Sequence, residues 1–182
     1  METHLTDGVV SLRPLQMADC EAIYTSVRES INELSRWLPW CDPGYAPSDT
    51  AGFVGTSIRW WQEGSQFTFG IFDTTDGAHL GVIGVNHLNR QHGYANIGYW
   101  VRTSRTGRGF APRAVRLVAR FAFDSLGMAR VEIAAEPDNL ASRRVAEKAG
   151  ATLEAVVRNR IVRRGQAYPA ALYSLIPEDV VS

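Results

Sequence analysis

Polar and apolar residues alternate over residues 8–15 (GVVSLRPL), the two-residue period of a strand with one covered face. The period lengthens over residues 17–30 (MADCEAIYTSVRES), which predicts an amphipathic helix with Asp19 near its start. Residues 31–49 predict a short helix that runs into a loop rich in proline and glycine. A further helix is predicted over residues 48–64, with Phe53, Ile58 and Trp61 at helical spacing. Three strands follow at residues 66–73, 80–88 and 95–102, joined by hairpin-like turns at TTDG and RQHG. Residues 111–127 then predict a helix whose apolar face carries Val115, Leu117, Val118, Phe121 and Ala122, with Gly127 as its stop. A strand at 129–136, a helix at 139–150 and two strands around RRGQ complete the chain. This order predicts an α/β fold of mixed α+β type, a mixed sheet with helices on both faces.

Between the strand ending in IGYWV and the helix at 111–127 lies TSRTGRGFAPR, the densest chemical signal in the chain. Gly107 and Gly109 free the backbone for tight turns or close approach. Pro112 suits a first helical turn, where its missing N–H costs nothing. A helix N-terminus carries free N–H groups and partial positive charge, so the segment reads as a phosphate cradle or as a tight connection. A Rossmann fingerprint needs glycine where Pro112 stands. A P-loop needs Gly-Lys-Ser/Thr, and the single lysine of this chain, Lys148, lies elsewhere.

At 182 residues the chain is expected to form one domain over 1–182 with a sizeable core. No apolar run approaches the length of a membrane span. METHLTDGVV has neither a basic n-region nor an apolar h-region, so a cytoplasmic protein is expected. Cys20 and Cys41 are too few and too isolated for a disulfide framework or a metal site. Net charge is zero but unevenly spread: residues 1–89 carry 11 acids against 4 arginines, and residues 90–182 carry 15 bases against 8 acids. Seven arginines lie from Arg102 to Arg130. That asymmetry reads as an anionic ligand on the C-terminal part, or as solvated faces that cancel on folding. A nucleic-acid stripe is the weaker reading, because the glycine loop already accounts for the centre of the arginine cluster.

IGYWVRTSRTGRGFAPRAV followed by VEIAAEPDNLASRRVAEKAG resembles the GCN5-related N-acetyltransferase (GNAT) superfamily. The pyrophosphate loop of that family, Gln/Arg-x-x-Gly-x-Gly/Ala, maps onto Thr106 to Ala111, with Thr106 departing from the first position. LSRWLPW and FTFGIFD…LGVIGV resemble the RimJ/RimL-type branch, which acetylates the N-termini of ribosomal proteins. The resemblance implies a central, mostly antiparallel sheet of six to seven strands, about four flanking helices and a splay between strands four and five. It also implies acetyl-CoA as cosubstrate without a metal, and a possible homodimer. The backbone N–H groups of Gly107, Arg108, Gly109, Phe110 and Ala111 are then expected to hold the pyrophosphate, with Arg105 or Arg108 adding charge. The backbone of Trp100 and Val101 is expected to hold pantetheine, and Asn139 its arm, unless Asn139 only caps the helix that follows.

Acetyl transfer to an amine needs a neutral amine, an oxyanion donor and a proton for the leaving thiolate. The resemblance puts Ser142 near the CoA sulfur, as proton donor or as a mere first-turn serine. The oxyanion donor is expected from the backbone at Trp100–Val101. Tyr173 is a second donor candidate or a core tyrosine. The base is harder to find, since relatives often carry Glu where this chain has Asn96, and Asp where it has Pro169. Asn96 can orient a water but cannot take a proton. His87 is a candidate base or an exposed strand histidine. An α-amine has a pKa of about 7.7–8.0 and needs less help than a lysine near about 10.4, so the missing carboxylates favour α-amines. The acceptor site is expected between the N-terminal helices and the sheet, where Trp37, Trp40 and Tyr45 are an aromatic wall or loop packing and Asp42 faces a cationic amine. Trp60 and Trp61 read as helix packing. Neither cysteine has a histidine near it in sequence, which favours direct transfer in a ternary complex. The rival activities are acetylation of a small amine or antibiotic and non-catalytic acyl-CoA binding.

Overall fold

The structure, a computed structural model, describes residues 3–180. Strands β1 (Leu5–Thr6) and β2 (Val10–Pro14) lead into a short 3-10 turn and then helices α1 (Cys20–Glu29), α2 (Ile31–Leu34) and α3 (Pro47–Glu63). Strands β3 (Phe67–Asp73), β4 (His79–Asn89) and β5 (Tyr94–Val101) follow, then α4 (Phe110–Asp124), β6 (Arg130–Ala135), α5 (Leu140–Ala149), β7 (Thr152–Arg163) and β8 (Gln166–Leu175). They form one eight-stranded sheet in the order β1-β2-β3-β4-β5-β6-β8-β7. The expectation of six to seven strands missed the two-residue β1, which pairs with β2 and is too short to show a period.

The helix limits follow from local chemistry. Pro47 opens α3, the Ala46 N–H donates to Asp49 at 2.8 Å, and Gly64 closes the helix at φ 65°. Helix α4 stops at Asp124, three residues before the predicted Gly127, because Met128 N–H folds back to the Ala122 carbonyl and Gly127 turns the chain at φ 66°. Its stripe of Ala114, Val115, Val118, Ala119 and Ala122 is wholly buried. Each valine buried there contributes about 1.5–3 kcal/mol.

Alternation along β5 sorts its side chains between two cores. Ala95, Ile97, Tyr99 and Val101 belong to the cluster beneath α4 and α5, with Phe69, Ile83, Val131 and Ile133. Trp100 joins the second cluster on the opposite face, built from Ile23 and Val27 of α1, Leu34, Cys41, Tyr45 and Val54 of α3. Trp61 packs on Phe67, Phe69 and Phe121 in the first cluster.

All strand pairs are antiparallel except β5 with β6, which pair in parallel only over Tyr94–Asn96 and Arg130–Glu132. Beyond Asn96 the two strands part, and a wedge opens in the middle of the sheet. This is the expected splay, which falls between the fifth and sixth strands once β1 is counted.

Candidate active site

The glycine loop lies at the wide end of the wedge. Gly107 (φ 76°) and Gly109 (φ 80°) both adopt the left-handed conformation, and a Cβ built on either meets no protein atom within 4 Å. Backbone conformation therefore requires glycine here, and the space beside it is open. Gly109 is the N-cap of α4, and no side chain caps the helix. The N–H groups of its first turn are thus available to an anion, reinforced by the helix dipole. A depression of about 560 Å³ runs from Gly109 and Pro112 along α4 past Arg116 to Lys148.

Two staples hold the approach to this loop. The Glu29 carboxylate at the end of α1 pairs with Arg102 and accepts the Ser104 N–H at 2.9 Å, and Ser30 Oγ accepts the Thr103 N–H at 2.9 Å. Arg102 beside it is the main reason the Glu29 carboxyl is held down to about 2. On the other side, Arg105 donates to Asp73 at 3.2 Å and to Asp76 at 2.8 Å in the β3–β4 turn. Arg105 is therefore a strut of the loop, which corrects the expectation that it reaches for phosphate. Arg108 is exposed at the tip.

The edge of β5 that faces the wedge is also specific. Arg102 N–H donates to Leu80 O, so by two-residue alternation Trp100 and Gly98 direct their peptide groups at β4, and Val101 and Tyr99 direct theirs into the wedge. The Trp100 carbonyl comes so close to β4 that a Cβ on Gly81 stands 2.1 Å from it. Gly81 permits that approach. The Val101 peptide group therefore faces the wedge, whereas the Trp100 backbone is spent on the ladder and its indole lies on the other face.

On the helix side of the wedge, Ser142 sits in the first turn of α5, where Asn139 Oδ1 accepts its N–H at 3.1 Å. Asn139 is the N-cap of α5, and its side-chain NH₂ remains a donor. Tyr99 from β5 donates to the Ser142 carbonyl at 2.9 Å, and its Oη lies 3.1 Å from Ser142 Oγ. Burial pushes the Tyr99 phenol up to about 12, so it stays protonated and can donate. Tyr173 is wholly buried; its hydroxyl donates to Glu147 at 2.8 Å and accepts from Arg143 at 3.0 Å. That pairing is internal to the α5–β8 contact, which corrects the reading of Tyr173 as a second donor. Tyr99 has no local signal in the sequence, because only the fold sets which face of β5 meets α5.

On the opposite face, Trp40 is 44% exposed and packs at 5.7 Å from Tyr45 and 6.3 Å from Trp100. Trp37 is half-buried on the same loop. Asp42 is exposed, and its Oδ1 accepts the Gly44 N–H at 2.7 Å, so it shapes the turn. Asn96 donates to Asn86 at 2.9 Å across β4–β5. His87 is exposed on a β4 bulge at φ 50°. Beneath Trp100 lies His79, absent from the sequence reading, 4% exposed with its ring 5.9 Å from the indole. The Ser26 hydroxyl donates to Ala22 O, so His79 Nδ1 carries the proton and donates to Ser26 at 2.9 Å, while Nε2 has no partner. Burial pushes the His79 imidazole down to about 4. Cys41 is fully buried, and burial pushes its thiol up, away from nucleophilic use.

A wedge with a phosphate-type loop at one end and a hydroxyl pair on its wall can receive an acyl thioester with a long phosphorylated arm. Comparison with known proteins agrees. A family model for the acetyltransferase (GNAT) domain matches residues 10–152. YjcK of Bacillus subtilis (strain 168) is 34% identical over 165 residues, 88% of this chain and 90% of that protein. The ribosomal-protein-serine acetyltransferase of Escherichia coli (strain K12) is 26% identical over 136 residues, 75% of either protein. The structure of RimL, a ribosomal L7/L12 alpha-N-protein acetyltransferase in complex with coenzyme A, is similar with a TM-score of 0.83 at 24% identity, covering 95% of this chain and 96% of that one. The chain belongs to the GCN5-related N-acetyltransferase (GNAT) superfamily and is an N-acetyltransferase.

Proposed function

We propose that this enzyme acetylates the N-terminal α-amine of a protein or peptide by direct transfer from acetyl-CoA. The observation that carries the reading is the two-sided wedge. Ser142 and Tyr99 line it from the helix face, and the open face beside Asn96 and Trp100 receives the amine. The names of two relatives add support for the acceptor, one acting on a ribosomal-protein serine and one on an alpha-N position.

In this reading the Gly107–Ala111 loop and the first turn of α4 bind the pyrophosphate, and the Val101 and Tyr99 peptide groups hold the pantetheine arm and the carbonyl oxygen. The amine attacks the thioester carbon, and the sulfur leaves with a proton from Ser142, which Tyr99 orients. With Cys41 buried, transfer passes through a ternary complex and not through an acetyl-enzyme.

The reading is tested by thiol release from acetyl-CoA over a panel of Ser-, Ala- and Met-starting peptides, the same peptides with blocked N-termini, and small amines. Turnover is expected with free N-termini, and at least tenfold less after blocking. Turnover confined to small amines would sink the proposal. Binding of acetyl-CoA with no turnover on any amine would replace it with a non-catalytic module.

A further inference from the structure

We propose that Glu132 is the general base of this enzyme, at the polar wall of an acceptor slot floored by Gly84 and Gly98. The inference rests on the acetyl-transfer reading above and supplies the proton acceptor that Asn96 and Pro169 cannot provide.

Register places one polar row across the sheet. Asn86 of β4 pairs with Asn96 of β5, Asn96 with Glu132 of β6, Glu132 with Ser174 of β8, and Ser174 with Thr152 of β7. Residues opposite one another in register share a face, so the row lies on the face that carries Trp100. Asn96 and Glu132 are the last paired residues before β5 and β6 part. Neighbouring strands are about 4.8 Å apart, which puts the Glu132 carboxylate at the apex of the wedge beside the missing base position.

Next to this row the sheet is bare. Gly84 pairs with Gly98, both on the same face and one pleat from Asn86 and Asn96 toward Trp100. A Cβ on Gly98 meets only Asn86 Nδ2, at 3.5 Å. The two glycines put no side chain between the polar row and the Trp100 indole, where the proposal seats the stem of the amine.

The surroundings of Glu132 leave one oxygen to work. Its Oε1 accepts from Arg130 Nε at 3.1 Å, whereas Oε2 has Arg160 at 3.7 Å, beyond hydrogen-bond length. The charged groups around it are Arg130 on its own strand and Arg160 and Glu154 on β7; Glu154 is itself held by Arg130 at 2.8 Å and by Ser174 at 2.5 Å. Arg160 comes from a bulge where the β7 register slips between Val157 and Ile161, opposite Pro169, which has no N–H to give the ladder. In the reaction the amine nitrogen gives one proton to Glu132 and forms the C–N bond. The C–S bond breaks with its electron pair on sulfur, which takes a proton from Ser142. Glu132 then releases its proton to solvent, and Ser142 is reprotonated.

The test compares Glu132→Gln and Gly98→Val with the unsubstituted enzyme, using whichever amine that enzyme turns over fastest, so that a wrong acceptor class does not affect it. For Glu132→Gln, kcat is expected to fall about 100-fold at pH 7. The deficit is expected to shrink about five- to tenfold in all between pH 7 and 9, as the neutral fraction of an amine with a pKa of about 7.7–8.0 rises from roughly a tenth to about nine-tenths. For Gly98→Val, the amine KM is expected to rise at least tenfold with acetyl-CoA affinity unchanged. A Glu132→Gln loss below threefold, or one constant from pH 7 to 9 as a structural defect predicts, overturns the base. An unchanged amine KM in Gly98→Val overturns the slot.

Discussion

Ser142 has two jobs that geometry separates: its backbone N–H belongs to the Asn139 cap, and its hydroxyl belongs to Tyr99. Removing the hydroxyl leaves the cap intact. Ser142→Ala and Tyr99→Phe are therefore each expected to lower kcat about 10- to 100-fold while the acetyl-CoA dissociation constant stays within threefold. Because the two hydroxyls act as one unit, the double variant is expected to lose little more than the worse single one. Steady-state kinetics with calorimetry reads this, and a Ser142→Ala enzyme as fast as the parent would make the serine a cap only. At this scale the run from Asn139 to Gly150 carried the resemblance that singled out Asn139 and Ser142. Tyr99 was not legible, because nothing local says which strand face meets α5. Tyr173 misled for the same reason, since only the fold brings Arg143 and Glu147 to its hydroxyl.

The proposed phosphate loop is an element that other elements brace. Gly107 and Gly109 supply the turn, but the segment Arg102–Arg105 is held by Glu29 and Ser30 of α1 and by Asp73 and Asp76 of the β3–β4 turn. Glu29→Gln is expected to weaken acetyl-CoA binding about five- to tenfold, roughly the 1–1.4 kcal/mol of a charge-assisted bond, and to leave kcat at saturation within threefold. The folded-state pKa of Glu29 lies below its unfolded value, so its contribution to stability is complete above about 4.5 and is lost as pH falls toward about 2. The glycines were legible because a left-handed turn restricts residue type. The braces were not, since Glu29 and Ser104 are 75 residues apart and any surface acid reads alike in sequence.

Across the whole molecule, some of the opposed charges of the two halves of the chain are spent on each other. Asp7 pairs with Arg113, Glu29 with Arg102, and Asp73 and Asp76 with Arg105. Arg102, Arg105 and Arg113 around the glycine loop are thus neutralised by acids of the N-terminal half, as the reading of faces that cancel on folding expects. Between the two cores, His79 is kept neutral beneath Trp100, with its folded pKa near 4 against an ordinary 6.5. The unfolded chain binds a proton below about 6.5 that the folded protein refuses, so stability falls as pH drops from about 6.5 toward 4. Glu29 and the other paired carboxylates act only below that upper range. The fall in melting temperature between pH 7.5 and 5.5 is expected to be smaller in His79→Leu than in the parent, and an equal fall in both would show that His79 is not its source.

What the sequence determined by itself is what depends on short-range order. Periodicity set the strands and helices, glycines and caps set their ends, and the motifs from Thr106 to Gly150 carried the resemblance to the family. What only the tertiary structure decided is what depends on residues meeting across strands and layers: the peptide groups that face the wedge, the hydroxyl paired with Ser142, the imidazole beneath Trp100, and the carboxylate beside Asn96. Register and face are collective properties of the sheet. A single slip of one residue reverses every side chain on a strand, so no isolated segment carries that information.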